Sequence, residues 1–386
     1  MFISRLEIND FKAYAAADIP LSPLTLILGP NGTGKTSVLQ ALELVSGLVD
    51  STIKEVLARR DWDYTDLSHL KSRTKQFGFA LQFDGDDVDD LEWSIKLGHK
   101  RGPGIASEVV NADGVRLLRR AWRDMTRIDQ QTGQSESITQ MLTQSWLSAV
   151  SADDDERFPG LLKIATWARE VAGYIELQPA ELRTSSRRTD EGIGRDGGKL
   201  AGFLGFLKAK HPGRFEAVIE QVQKAYPRLV SVELKTARAG WIRLEVIEKW
   251  GNKQLAFNAH QVSDGLLRLL AISAMAQAPH PPSLVMIDEI ENGLHPHLLN
   301  ALVDMLQQVA DSGTQVVATT HSPIALNYVR DAGQVLIAGR DPKTGAASLT
   351  PLSRSVAYRR VASVMDPGEA WYNLGEERLL SKLTKS

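Results

Sequence analysis

Gly29-Pro30-Asn31-Gly32-Thr33-Gly34-Lys35-Thr36 is the stretch that decides the fold. Its spacing is GxxxxGK[ST], set between an apolar run, Leu24 to Leu28, that reads as a strand and an amphipathic helix from about Lys35 to Leu48. Val38, Leu39, Leu42 and Val45 fall at helical spacing on that helix. The glycines let backbone N–H groups turn toward a β-phosphate, and the helix N-terminus adds a favourable dipole. Lys35 is placed to reach the β- and γ-phosphates, and Thr36 to hold Mg²⁺. Asn31, Gly32, Thr33, Gly34 and Ser37 complete the expected contacts with ATP. Strand, glycine loop, helix is how a nucleotide-binding α/β domain opens.

Two further apolar runs end in polar residues, as buried parallel strands do where chemistry begins: SLVMIDE at 283–289 and TQVVATTHS at 314–322. A helix is expected between them, from about Pro296 to Ala310. Asp288 then stands at a strand end, where it can hold Mg²⁺ through water, and Glu289 beside it is a candidate base for a hydrolytic water. His321, at the tip of the next strand, is placed to hydrogen-bond a γ-phosphate or the attacking water. Ser263 and the Gly265 N–H precede a helix expected from about Leu266, which makes Val262-Ser263-Asp264-Gly265 a second anion-binding cap.

Elsewhere the chain punctuates itself. Residues 1–28 read as strand, turn, strand. FGFALQF, LEWSIKL, IASEVV and GVRLLRR are four short strands broken by turn residues, an antiparallel meander. Residues 136–175 and Leu204 to Tyr226 read as helical, LVSVELKT and WIRLEVIEKW as a hairpin, VLIAGR and TPLSR as closing strands, and the tail from 355 as helical.

Composition sets the limits. The 386 residues carry 45 Lys and Arg against 47 Asp and Glu, a formal charge of -2, so no global positive field gathers nucleic acid. With no cysteine, disulfides, thiolate metal sites and a Cys nucleophile are excluded, in keeping with a reducing compartment. The start, MFISRLEINDFKAY, lacks the basic and apolar regions of a signal peptide, and no apolar run is long enough to span a bilayer, so a cytoplasmic protein without a membrane partner is expected. The eight Trp are scattered and read as packing residues. Arg183, Arg187, Arg188 and Arg195, among four glycines, form a basic loop that Lys208, Lys210, His211 and Arg214 extend. It is the candidate surface for phosphate contacts if DNA binds.

These motifs together resemble an ABC-type ATPase of the SMC/RecF/OLD class, and most of all its compact AAA-type branch, often linked to phage defence. The resemblance rests on the phosphate loop, on Val262-Ser263-Asp264-Gly265 in the signature position, on Glu289-Ile290-Glu291-Asn292-Gly293-Leu294-His295-Pro296, on His321, and on the opening INDFKAY. About 225 residues separate the phosphate loop from the signature. The resemblance implies an α/β P-loop NTPase with ABC-ATPase head architecture: a parallel core sheet, an antiparallel β lobe and a helical insertion. It implies that Lys12 approaches the nucleotide, and that a glutamine, either Gln178 or Gln82, serves as the Q-loop residue. It further implies that two heads sandwich two ATP molecules, each site joining the loop of one head to Ser263, Asp264 and Gly265 of the other.

On this reading residues 1–48 hold the first part of the core, 49–175 the β lobe and helical insertion, and 176–258 the lobe junction. Residues 259–354 hold the signature and the two catalytic strand ends, and 355–386 a helical tail. A long coiled coil has no heptad pattern here. Only about 65 residues follow His321, too few for the nuclease domain of OLD proteins. The expected function is ATP hydrolysis by an ATP-dependent homodimer that controls a separate effector such as a nuclease or toxin, in phage defence or DNA metabolism, with double-stranded DNA a candidate trigger. A scaffold of higher oligomeric order holding a toxin or nuclease, and a RecF-like repair clamp, are the alternatives.

Overall fold

The computed structural model describes every residue except 73, 86–89, 100, 101, 140–142, 173, 176, 188, 237–239, 342 and 381–386, and only the backbone of 174, 175, 376 and 377. Arg188 of the expected basic loop thus lies outside the described residues. Two compact units emerge: Met1–Val171 with Asp331–Ser386, and Ala172–Arg330.

The first unit is built on an antiparallel sheet of eight strands. Their order is Tyr14–Pro20, Phe2–Phe11, Phe77–Asp84, Glu92–Gly98, Gly104–Ala112, Val115–Ala121, Asp124–Ile128 and Ser135–Thr139. All four expected meander strands are present. The strand Tyr14–Pro20 escapes the sequence reading because it is an edge strand of small residues, with only Tyr14 and Ile19 buried. Its register comes from the partner strand, which sets Leu6 opposite Ile19 and Phe11 opposite Tyr14. The same unit carries Leu24–Leu28, buried throughout, in parallel pairing with Val335–Arg340, which pairs antiparallel with Ala347–Pro351.

Residues 136–175 are not the helical run that was expected. Ser135–Thr139 is a strand, Trp146–Ala149 a 3₁₀ turn, and among the described residues only Pro159–Arg169 is an α-helix, begun by Pro159 at a first-turn position. The cause is long-range. Glu136 is held by Arg127 across the strand pair and by Arg157, and the 3₁₀ turn is fixed by Glu108. The wholly buried Glu108 carboxylate accepts from Trp93 Nε1 at 3.1 Å, from the Trp146 N–H at 3.0 Å and from the Ser145 hydroxyl. Buried Arg120 lies 4.0 Å away. Burial pushes the Glu108 carboxyl up, against these donors and Arg120.

The second unit carries three parallel strands in the order Tyr174–Ile175, Leu284–Ile287, Gln315–Thr320, with Ile175 opposite Ile287 and Ile287 opposite Ala318. Around them lie the helices Leu200–Lys210, Pro212–Ala225, Asp264–Ala276 and Leu299–Asp311. The single helix expected over Leu204 to Tyr226 is two, parted at His211-Pro212, because a proline pushes the residue before it out of the helical region. The expected hairpin gains a third strand, giving Leu229–Thr236, Ile242–Trp250 and Lys253–Asn258. In the tail, the described part includes Pro367–Leu374 and Glu376–Leu380 as helices.

Candidate nucleotide-binding site

In the first unit the buried strand ends at Leu28, and the helix Lys35–Asp50 begins with Gly34 as its N-cap at φ 94°. Gly32 adopts φ 78° with nothing crowding it, so backbone conformation alone requires glycine there. Gly29 is required by space, since a Cβ would stand 2.5 Å from the Ala338 carbonyl oxygen. Lys35 is buried with its ammonium inside the loop, donating to the Gly29 carbonyl at 2.7 Å and the Pro30 carbonyl at 3.0 Å. The Thr33 hydroxyl donates to the Pro30 carbonyl at 2.9 Å. Asn31 and Gly32 are exposed at the rim, and Thr36 and Ser37 are half-buried in the first helical turn.

Lys12 lies in the turn between the first two strands at φ 46°. Its ammonium donates to Gln40 at 2.7 Å and sits 4.1 Å from the centre of the Trp62 ring. Desolvation, followed by the nearby Arg60 charge, lowers its pKa to about 8. Two residues that sequence reasoning missed stand against the loop: the Tyr14 hydroxyl donates to the Gly34 carbonyl at 3.1 Å, and Arg340 donates to the Gly32 carbonyl.

In the second unit, the strand Leu284–Ile287 delivers Asp288 and Glu289 at its end. Glu289 adopts φ 48°, uncommon for a residue with a side chain. Thr319 on the neighbouring strand organises the pair. Its hydroxyl donates to the Asp288 carboxylate and accepts from the Glu289 N–H at 2.9 Å. His321 Nε2 lies 3.4 Å from Glu289 Oε1, so the structure brings together the two residues expected to align water. Glu291, whose role the motif alone does not reveal, accepts from the Thr320 hydroxyl at 2.7 Å and from the His321 N–H. It thereby fixes the turn that carries the histidine.

Ser263 is the N-cap of the helix Asp264–Ala276 and accepts from the Leu266 N–H at 3.3 Å, as the expected cap requires. Asp264 is engaged by Arg183, which also donates to the Val262 carbonyl at 3.1 Å, so Arg183 shapes the signature turn rather than standing in a free basic loop. Gly265 sits at a close approach: a Cβ there would lie 3.2 Å from Leu294 and 3.3 Å from the Gly293 carbonyl, which would have to shift slightly. Buried Arg268, further along the same helix, reaches the Glu289 carbonyl at 3.5 Å. Its pKa is lowered by burial, against the nearby charges of Asp264, Glu291 and Glu289.

Gln178 lies just past the strand Tyr174–Ile175, beyond the same strand end that bears Asp288 on its parallel neighbour. Gln82 is instead inside a strand of the antiparallel sheet, opposite Arg5. The rest of the basic loop is mixed in charge, with Lys199 paired to Asp190 at 3.1 Å. Among the described residues, no three His, Asp or Glu side chains gather as a metal cluster. No helix among them is long and apolar enough to cross a membrane.

A family model described as "AAA domain, putative AbiEii toxin, Type IV TA system" matches residues 24–327. The chain is 33% identical over 105 residues to an OLD nuclease of Thermus scotoductus, an alignment covering 23% of this chain and 20% of that protein. It is 31% identical over 128 residues to the DNA replication and repair protein RecF of Aliivibrio fischeri, covering 31% of this chain and 35% of RecF. The chain thus spans about a fifth and a third of these relatives' lengths. Among solved structures, an SMC head bound to the C-winged helix domain of ScpA superposes with a TM-score of 0.58 at 16% identity, over 91% of this chain and 97% of that one. An SMC head domain with an extended coiled coil, bound to the C-terminal domain of ScpA derived from Pyrococcus furiosus, gives 0.56 at 15%, over 94% and 99%. These likenesses show the head fold.

Proposed function

Because the chain belongs to this AAA domain family and is an ABC-type ATPase of the SMC/RecF/OLD class, we propose that it hydrolyses ATP in a homodimer that forms on ATP and governs a separate effector protein. The observation that carries the reading is a duplication of anion-binding devices. The chain holds one complete phosphate loop and, on another helix, a second cap at Ser263. A chain that already cradles its own triphosphate has use for the second cap on the nucleotide of a second copy.

In this reading Lys35 and the loop amides bind the β- and γ-phosphates, and Ser263 and the Gly265 N–H meet the γ-phosphate held by the partner. Glu289 accepts the proton of the attacking water, which bonds to the γ-phosphorus as the bond to the ADP oxygen breaks. His321, held by Glu291, orients that water. Thr36 in the first unit and Asp288 in the second each offer a hard oxygen donor of the kind that suits Mg²⁺. Bound there, Mg²⁺ would neutralise charge on the transferred phosphoryl. The family's toxin description and the OLD relative favour a toxin or nuclease as the effector.

Phosphate release followed in the same samples as particle mass tests the proposal. Mg²⁺-dependent release with a mass that doubles on ATP supports it, whereas a fixed mass without release sinks it.

Lys12 adds a pH dependence. With its pKa lowered to about 8, it is charged at neutral pH and loses its proton as pH rises. A phosphate neighbour favours the charged form, so above that pKa binding must also recruit a proton. ATP affinity should therefore be flat below about pH 7.5 and fall roughly tenfold by about pH 9. Calorimetry across that range checks this, and Lys12→Met should bind more weakly with the slope gone. A slope unchanged in that variant would remove Lys12 from the nucleotide.

A further inference from the structure

The phosphate loop is gripped from outside at two carbonyls. The Tyr14 hydroxyl donates to the Gly34 carbonyl at 3.1 Å, and the Arg340 guanidinium donates to the Gly32 carbonyl. In a trans peptide the C=O and the following N–H point in opposite directions. A carbonyl held outward therefore aims the next amide inward, which for Gly32 is the Thr33 N–H and for Gly34 the Lys35 N–H. The geometry points to Tyr14 and Arg340 as positioning residues of the phosphate loop, which preset the Thr33 and Lys35 amides toward a bound triphosphate. The inference rests on the ATP-binding reading above and deepens it.

Both braces are themselves fixed. Tyr14 is wholly buried, and burial raises the pKa of its hydroxyl, so it stays a donor. It packs where a Cβ on Gly34 would stand, 3.1 Å from that position, beside Ala13 at 3.1 Å and Ala347 at 2.9 Å. Arg340 uses a second nitrogen to donate to the Gly345 carbonyl at 2.9 Å, and the Ala347 N–H donates to the Ala13 carbonyl at 2.9 Å. The turn after Arg340, the turn before Tyr14 and the phosphate loop are thus tied together. Arginine suits this place because its planar fork serves two carbonyls at once, whereas a lysine ammonium on its flexible stem lacks that preset geometry. An oriented amide lowers the ordering cost of binding and acts alike on ground and transition states, so it should appear in KM more than in kcat.

The test uses the full chain as wild type, Tyr14→Phe, Arg340→Ala, Arg340→Lys and Lys35→Ala. ATP binding by calorimetry, steady-state KM and kcat, and the melting temperature without nucleotide are read for each. Tyr14→Phe and Arg340→Ala should raise Kd and KM about tenfold while kcat stays within about twofold, and Arg340→Lys should recover part of the loss. Unchanged Kd and KM in both variants, with wild-type binding intact, overturn the brace and leave the ATPase reading standing. A joint fall of kcat and melting temperature also overturns it, since the two residues would then only hold the fold. Wild-type protein with no ATP binding that Lys35→Ala abolishes overturns the ATPase reading and the brace with it.

Discussion

Lys35→Ala should abolish ATP turnover, lowering kcat/KM by roughly a hundredfold or more, equivalent to about 3 kcal/mol of lost transition-state stabilisation. The size follows from where the ammonium sits. It is buried inside the loop, so its charge acts with little screening, and its partners include the Gly29 and Pro30 carbonyls. A phosphate oxygen carries full charge where a carbonyl carries a partial one, so the ammonium gains by exchanging partners when ATP enters. Alanine removes that gain and also takes a donor from two loop carbonyls. Phosphate release and ATP calorimetry on the same preparation measure both effects. Turnover equal to wild type would remove the loop from the chemistry altogether.

Glu289→Gln should separate binding from turnover. Phosphate release falls by about 10² to 10⁴, the range of a lost general base, while ATP affinity is retained or improved. Glutamine keeps the length and the contact distance to His321 but cannot take the proton of water. With hydrolysis blocked, ATP-bound dimers should accumulate, and mass by light scattering with ATP and Mg²⁺ reads that directly. The backbone at φ 48° makes this substitution safer than a β-branched one, which would add strain to an uncommon conformation. Turnover within a few-fold of wild type would transfer the base role elsewhere, and a monomer that binds ATP without dimerising would defeat the two-headed reading.

Some of this site was legible in the residues alone, and the reason is locality. The phosphate loop needs eight consecutive residues to describe one backbone path, so the string carries its own geometry. Asp288, Glu289 and His321 were legible because apolar runs mark the ends of buried strands, and Ser263 because a helix cap is a short-range device. What stayed hidden depends on partners far along the chain. Thr319 is an ordinary strand threonine until its hydroxyl meets Asp288 and the Glu289 N–H, and Glu291 is a charge in a turn until it reaches Thr320 and His321. Tyr14 and Arg340 are separated from the loop by 20 and 308 residues. The fold divides in the same way. The meander declares itself by alternation, but the strand Tyr14–Pro20 takes its form from Phe2–Phe11, and the 3₁₀ turn at Trp146 takes its form from Glu108.

The strand that leads into the phosphate loop, Leu24–Leu28, pairs in parallel with Val335–Arg340, and the whole unit Ala172–Arg330 is threaded between them in sequence. Translation therefore produces the loop near the beginning and its last support near the end. At about 5 to 20 residues per second, the ribosome spends tens of seconds in between. The first unit must wait for a closure that spans most of the chain. A nascent chain shorter than about residue 340 carries the full GxxxxGK[ST] motif without the arginine that steadies it. Nucleotide capture thus becomes a late event in the protein's synthesis.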